Sequence, residues 1–516
     1  MNSKPPINIL QQRLFGTDGI RGTANISPVT PENAFRLGRA VGYLFGSGKK
    51  TSADSIDSTI RVLSKLAYAD EVQGVSGAQN LSVQQYSMVR APERRSDSLA
   101  EVEFRKHSIV IGKDTRHSGP MLEAALIAGL HSIGVDVILV GILPTPAIAL
   151  LTRDLHADAG IVISASHNPA ADNGLKIFRS DGYKLNDILE KRLEELILTP
   201  EIDGIRPTGS DVGSTTFFSE ALERYVAACK ESVPTLSLKG LKIAVDCAHG
   251  ASFLSTPKIL RELGAEVHLF HATPNGININ EACGSMHPEE ISRLTRETGA
   301  HLGLAHDGDA DRLVLCDEQG NIVDGDEILA ITALDALKRG TLNKNTLVTT
   351  VMSNFGLDEC LEEAGGKVVR TAVGDRYVVE AMLEGGFNIG GEQSGHMIFR
   401  DYSTTGDGIV AALQILRVMA ETGQPLSKLR QCLKKYPQVQ CNLRVKIKPP
   451  LESLTSIAPL LKKAEQELQG KGRILLRYSG TEPLLRLLIE GRDETVITQL
   501  CEQITKALIA ILCAEC

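Results

Sequence analysis

Short apolar runs alternate with helix-length amphipathic stretches along most of the 516 residues, and this alternation restricts the chain to α/β architecture. Strand-length runs fall at 108–111, 135–140 and 160–164, with a helical pattern at about 121–133. Thr30-Pro31-Glu32 opens an earlier helix, expected to reach Phe45. Threonine caps free N–H groups there, proline suits the first helical position, and an acid complements the dipole. A second series sets strands at 241–245, 265–270 and 302–305 around helices starting at Ser252 and spanning 289–297. A third, from about Gly320 to Lys434, sets strands near 347–351, 367–371 and 388–391. After Tyr436-Pro437 the order changes to a strand at 439–447, a helix at 454–468, paired strands at 472–478 and 484–490, and a helix at 494–511. The expected fold is therefore three α/β domains with a C-terminal α+β domain, bounded at 1–205, 206–318, 319–435 and 436–516, with the Gly/Pro/Ser/Asp-rich stretch 203–214 as the first linker.

Between Gly46 and His107 the alternation is lost. This polar, Ser- and Ala-rich stretch has one helical pattern (Ile56, Ile60, Leu63, Ala67) and reads as a partly ordered insertion, 47–107, in the first domain. A hydrophobic fraction of 42% and a charged fraction of 23% are those of a soluble globular chain. The net charge of −8 gives no reason to expect nucleic acid or anionic membrane as a partner. Ten cysteines scattered from Cys229 to Cys516 form no disulfide framework, and Cys513-x-x-Cys516 reads as a chance spacing. With no signal-like apolar core at 1–14 and no run of membrane-spanning length, a cytoplasmic location is expected.

Ile161-Val162-Ile163 run straight into Ser164-Ala165-Ser166-His167-Asn168-Pro169, with Gly174 and Lys176 following. A buried strand feeding a polar loop exposes a hydroxyl with a cation nearby, as a nucleophilic serine requires, although the same residue types also build ordinary turns. Asp307, Asp309 and Asp311 lie between two apolar runs. On an extended chain such side chains share one side, and three converging carboxylates repel unless a cation neutralises them. Oxygen-only ligands select a hard ion, Mg²⁺ before Ca²⁺ or Mn²⁺. An EF-hand matches poorly, since Arg312 occupies its glycine position although Glu318 falls at the twelfth; a solvated acidic turn is the other alternative. Glu392, Ser394 and His396, in a Gly-rich loop after a short strand, share an alternation suited to sugar hydroxyls. Arg477, Ser479, Gly480, Thr481 and Arg486 combine guanidinium, hydroxyl and backbone N–H groups as a phosphate cradle, the alternative being a hairpin loop with arginines on its solvated face. Arg21 lies in a glycine-rich turn, and 113–119 crosses from a strand end to a helix start, where anions gather; either can be structural.

In this order, one per domain, the Ser166, triple-aspartate, Glu392 and Arg477 loops resemble those of the α-D-phosphohexomutases across the whole chain apart from 47–107. Residues 15–22, Gln393 and 373–378 are similar to the branch acting on glucosamine phosphates; phosphomannomutases and phosphoglucomutases usually carry methionine at the position of Gln393. The resemblance implies mixed-sheet domains around a cleft. It implies Ser166 as phosphoryl carrier, resting as phosphoserine, with Asp307, Asp309 and Asp311 holding Mg²⁺ against that phosphate and Arg312 offsetting its charge. Arg21, Lys176 and His396 are implied in proton transfer or charge stabilisation, and Glu392, Ser394 and His396 in sugar binding. Arg477, Ser479, Gly480, Thr481 and Arg486 are implied on the distal phosphate.

The implied reaction interconverts glucosamine 6-phosphate and glucosamine 1-phosphate through a sugar 1,6-bisphosphate, feeding UDP-N-acetylglucosamine and cell-wall precursor synthesis. The alternatives are the same chemistry on mannose or glucose phosphates, a bisphosphate synthase or phosphatase, and a non-catalytic sensor. The implied partner is a small phosphosugar, neither nucleic acid nor membrane, and the chain is implied to be a monomer or homodimer. Since 47–107 lies away from all four loops in sequence, its deletion is expected to leave a folded, active chain. A folded but inactive deletion protein in an activity assay would contradict that.

Overall fold

The computed structural model describes residues 14–16, 19–46, 107–468, 470–479 and 483–512. The expected insertion (but for His107), Gly480, Thr481 and the terminal Cys-x-x-Cys lie outside these residues. Gly46 and His107 nevertheless flank that segment side by side, a Cβ at Gly46 falling 3.6 Å from the His107 Cβ. The chain thus resumes the first domain where it left it.

The first sheet has seven strands in the order β1-β2-β6-β5-β3-β4-β7: β1 Phe15–Gly16, β2 Gly19–Thr23, β3 Ser108–Lys113, β4 Asp136–Ile142, β5 Ala159–Ile163, β6 Asp172–Arg179 and β7 Thr215–Phe217. The second has five, in the order β12-β11-β10-β8-β9: β8 Lys242–Asp246, β9 Glu266–Phe270, β10 Leu302–His306, β11 Leu313–Asp317 and β12 Ile322–Val323. The third has four, β14-β13-β15-β16: β13 Thr346–Thr350, β14 Lys367–Thr371, β15 Ile389–Gly391 and β16 Met397–Phe399. The fourth is antiparallel, β17-β19-β18: β17 Gln438–Arg444, β18 Gly472–Tyr478 and β19 Leu484–Gly491. The first three are mixed sheets, as expected.

Local chemistry explains the elements that frame them. Thr30 Oγ1 accepts from Asn33 N at 3.3 Å and starts the helix Pro31–Gly46. Asp324 and Glu327 form a capping box on Gly325–Lys338. Asp407 accepts from Ile409 N and Val410 N, both at 3.0 Å, at the head of the buried helix Gly408–Thr422.

Two expected boundaries move. β7 pairs in parallel with β4, Thr215 opposite Val137, so 206–217 completes the first sheet and does not open the second domain. The stretch 203–214 is a return loop: the buried Arg39 guanidinium holds the carbonyls of Ile202 and Ile205, and Gly213 N donates to His131 O. Three exposed residues carry no apolar signature, which is why β7 is illegible in sequence. Likewise β12 pairs with β11, so the second sheet ends at Val323, beyond the expected boundary at 318.

One apolar core runs through the first three units, from Val110 and Phe178 through Val245 and Leu304 to Leu347 and Leu413. The fourth unit closes on its own core of Leu443, Leu485, Ile489, Ile497 and Ile504. Its helix Glu494–Leu512 is long and apolar enough to cross a membrane, but Ile497, Leu500, Ile504 and Leu508 are buried in that core. The fourth unit meets the third through polar contacts: Asn354 Nδ2 donates to Tyr436 O at 3.0 Å, Phe355 N to Glu490 Oε1 at 3.2 Å, and Arg473 Nη2 to Ser353 O at 2.6 Å.

Leu413 is fully buried in the apolar core that the first three units share. Leu413→Ala is expected to cost about 2–5 kcal/mol, read as a lower midpoint of the main urea transition, with the fourth unit's own transition little changed.

Candidate active site

The same device recurs in the three mixed sheets. A strand parallel to one neighbour turns back on an antiparallel partner, and the turn carries the polar motif: β5 to β6 for Ser166, β10 to β11 for the aspartates, and β15 to β16 for Glu392 and His396.

Ser166 sits one turn past β5 with φ +51°, in the left-handed region that costs a serine energy unless its surroundings hold it there. They do. Arg116, fully buried, donates to the carbonyls of Ser166 at 2.9 Å, Asn168 at 2.8 Å and Asp172 at 2.9 Å, and to that of Pro169. Its Nε pairs with Asp114 Oδ2 at 2.8 Å, and the same oxygen accepts Ser164 Oγ at 2.6 Å. Ser164 Oγ in turn accepts from Ser166 N at 2.9 Å. From the second unit, Asn280 Nδ2 donates to Ser166 O at 2.9 Å and Asn168 O at 3.0 Å. Segment 113–119 therefore supplies the scaffold of the serine loop, with Arg116 spent on carbonyls.

Ser166 Oγ donates to Asp307 Oδ2 at 2.5 Å, and His167 Nδ1 lies 3.4 Å from it. Burial, then the charges of Arg312 and Arg21, push His167 down to about 4, so its ring is neutral near pH 7. Asp307, Asp309 and Asp311 are buried and offer oxygens within 4.8 Å of one another. They converge because 307–311 is a tight turn with Ala310 at φ +57° and Ala310 N bonded to Asp307 O, and not because they alternate along an extended chain. Lys176 Nζ lies 2.8 Å from Asp309 Oδ2 and 3.3 Å from Asp311 Oδ2. This lysine is within β6, opposite Val162, so the strand pairing and not the loop aims it. Thr145 Oγ1 donates to Asp309 Oδ2 at 2.6 Å. Arg21 stands on β2, paired with Gly174 of β6.

The donor set fits a hard cation. Asp309 Oδ1 and Asp311 Oδ1 are buried acceptors without a hydrogen-bond partner among the described residues, a costly state that a divalent ion removes. Arg312 Nε is likewise a buried donor without a partner, suited to an anion beside that ion. Burial, then Asp311 and Asp309, push Asp307 up to about 8. Burial opposes ionisation of Asp311 too, but Lys176 and His396 hold it well below the usual carboxylate range.

His396 is buried behind this cluster. Its Nδ1 is 3.6 Å from Asp311 Oδ1 and its Nε2 is 3.3 Å from Asp375 Oδ2, with Gly406 N 3.1 Å from Nε2. Asp375 also takes Lys184 Nζ of the first unit at 2.6 Å. The alternation expected for 392–396 does not form, because Gly395 N closes a turn onto Glu392 O. Ser394 is exposed, Glu392 Oε1 accepts from Gly374 N at 3.1 Å, and His396 points inward.

In the fourth unit Arg477 and Arg486 are direct partners across β18 and β19. Like charges opposite one another repel and favour a bound anion; burial, then Arg486, lowers Arg477 from the ordinary arginine range. Lys448 Nζ donates to Ser479 O at 2.6 Å and adds a third cation that the sequence motif did not include. Thr145 and Asn280 also escaped sequence reading, since neither lies in a motif and only the packing of the first unit on the second brings them to the site.

Family models for phosphoglucomutase/phosphomannomutase match the chain in four consecutive pieces: alpha/beta/alpha domain I at residues 93–202, domain II at 223–320, domain III at 324–436 and the C-terminal domain at 441–507. The chain belongs to the phosphoglucomutase/phosphomannomutase family. A Syntrophotalea carbinolica protein named phosphoglucosamine mutase is 50% identical over 500 residues, covering 97% of this chain and 98% of its own. One from a Geobacter strain, of the same name, is 49% identical over 94% of each chain. Among solved structures, a family member from Burkholderia thailandensis has a TM-score of 0.70 at 23% identity, covering 96% of this chain and 97% of its own. An Aspergillus fumigatus N-acetylphosphoglucosamine mutase, solved with GlcNAc-6P and magnesium, has a TM-score of 0.54 at 19% identity, covering 74% and 93%. The third sheet lies within the match to domain III and the second within that to domain II except for β12, which falls between the two matches, as β7 falls between those to domains I and II.

Near pH 7 the metal-free protein keeps a proton on Asp307 that Mg²⁺ must displace. Mg²⁺ affinity, measured by calorimetric titration at successive pH values, is expected to rise about tenfold per pH unit up to pH 8 and then level off. Without metal, the folded chain holds this proton between pH 3.8 and about 8 while the unfolded chain has lost it, so stability falls as pH rises through that window.

Proposed function

We propose that this chain interconverts glucosamine 6-phosphate and glucosamine 1-phosphate, with Ser166 as the phosphoryl carrier. The observation that carries the reading is Ser166 Oγ bonded to Asp307 within a buried three-carboxylate cluster in which Asp309 Oδ1 and Asp311 Oδ1 accept no hydrogen bond among the described residues. A serine so bound is ready to carry a phosphoryl group beside a divalent ion. The amino-sugar substrate rests on the relatives named phosphoglucosamine mutase at about half identity over nearly full length.

Asp307, Asp309 and Asp311 hold Mg²⁺, which neutralises phosphoryl oxygens when bound. Arg312, Lys176 and Arg21 add the remaining positive charge, and phosphoryl transfer depends mainly on such positioning and neutralisation. In the first step the bond from phosphorus to Ser166 Oγ breaks as the bond to sugar O1 forms and the O1 hydroxyl loses its proton. The resulting 1,6-bisphosphate turns within the cleft. Ser166 Oγ then takes back the phosphoryl group from O6, O6 regains a proton, and glucosamine 1-phosphate leaves. Glu392 and Ser394 bind sugar hydroxyls, while Arg477, Arg486, Ser479, Gly480 and Thr481 hold whichever phosphate is not reacting. A clamp on a unit with its own core can grip either end of the sugar. His396, buried between Asp311 and Asp375, acts as a positioning residue for the metal turn. With a phosphosugar as its partner, the enzyme works in the cytoplasm.

The test supplies the protein with Mg²⁺, a trace of sugar 1,6-bisphosphate and glucosamine 6-phosphate. Glucosamine 1-phosphate is expected to form faster than the corresponding products from glucose or mannose phosphates, and Ser166→Ala is expected to be inactive. Preference for mannose or glucose phosphate overturns the substrate, and full activity in Ser166→Ala overturns the mechanism.

A further inference from the structure

The second unit holds another group of metal-ligating side chains. Asp246 ends β8, His271 directly follows the adjacent parallel strand β9, and Cys283 lies on the loop beyond. The carboxyl ends of adjacent parallel strands are where open α/β sheets bind ligands. An oxygen, a nitrogen and a sulfur from these residues all lie within 4.8 Å of one another, with Asp246 and Cys283 buried.

The geometry is that of ligands awaiting one ion. Asp246 Oδ2 and His271 Nδ1 are 3.2 Å apart and Asp246 favours the protonated ring, yet Nδ1 is a buried polar atom that makes no well-directed hydrogen bond among the described residues. Two ligands about 2.0–2.1 Å from a tetrahedral ion stand about 3.3 Å apart. Backbone groups orient Asp246: Ala248 N and Gly284 N, each at 2.8 Å, fix its two oxygens. Glu290 Oε1, bonded to Arg293 Nη2 at 2.7 Å, lies 3.8 Å from His271 Nε2 and adds negative charge behind the ring.

We infer that Asp246, His271 and Cys283 form a second cation site, separate from the three aspartates and selective for a borderline-soft divalent ion of the zinc type. The mixed O, N and S donors favour zinc over magnesium. His271, partly exposed, leaves a fourth position toward solvent. Binding displaces the Cys283 proton and ties the end of β8 to the loop that carries Asn280, whose amide holds the carbonyl of Ser166. The ion would thereby stiffen the support of the serine loop without touching the reacting atoms.

The test uses the full-length protein with excess Mg²⁺ to occupy the aspartate turn, and Co²⁺ as a spectroscopic stand-in for zinc. One equivalent of Co²⁺ is expected to give tetrahedral visible bands with a near-ultraviolet thiolate-to-cobalt band, all bleached by Zn²⁺. Cys283→Ala, with unchanged circular dichroism, is expected to lose the thiolate band. Zn²⁺ is expected to raise the melting temperature of the parent protein but not of Cys283→Ala. A folded parent protein with no thiolate band, or a band that persists in Cys283→Ala, overturns the site; in the former case Asp246 and His271 are an ion pair and nothing more.

Discussion

Three carboxylates packed out of water within 4.8 Å of one another are tolerable only if positive charge is brought to them, and much of the molecule is arranged to bring it. Lys176 reaches Asp309 and Asp311 from the first unit's sheet, Arg312 follows the turn itself, and His396 approaches from the third unit. Through Asp375 that histidine is linked back to Lys184 of the first unit, so charges from three units close a ring around one turn. The shared apolar core holds these units in the register the ring requires.

The serine depends on the same arrangement from the other side. Its strained backbone persists because a buried arginine and an asparagine from the second unit saturate the carbonyls of its loop. Arg116 is thus part of the framework although its charge and position suggest an anion ligand. The fourth unit differs in kind: it has a separate core, polar contacts with the third unit, and two arginines facing one another across two strands. It suits a ligand that must be gripped, released and gripped again.

The strands that could be read in the sequence are those with continuous apolar runs, such as β3, β5 and β10, whose residues are almost all buried. β7 and β6 escaped for opposite reasons. β7 is three exposed residues, and the polar start of β6 resembles the loop before it. The motifs at Ser166 and Asp307–Asp311 were legible because their residue types are chemically committed, whereas Thr145, Asn280 and Lys448 are ordinary residues given a purpose by their neighbours.

The sequence by itself determined the α/β class, the order of four motif-bearing units and the positions of the serine loop and the three-aspartate motif. Those follow from local periodicity and from side-chain chemistry that few other functions need. Only the tertiary structure decided which cations face which carboxylates, that His396 lies behind the metal turn, and that Arg116 supports the serine loop. Each is a contact between residues distant in the chain, set by strand pairing and unit packing, which leave no local trace in the order of residues.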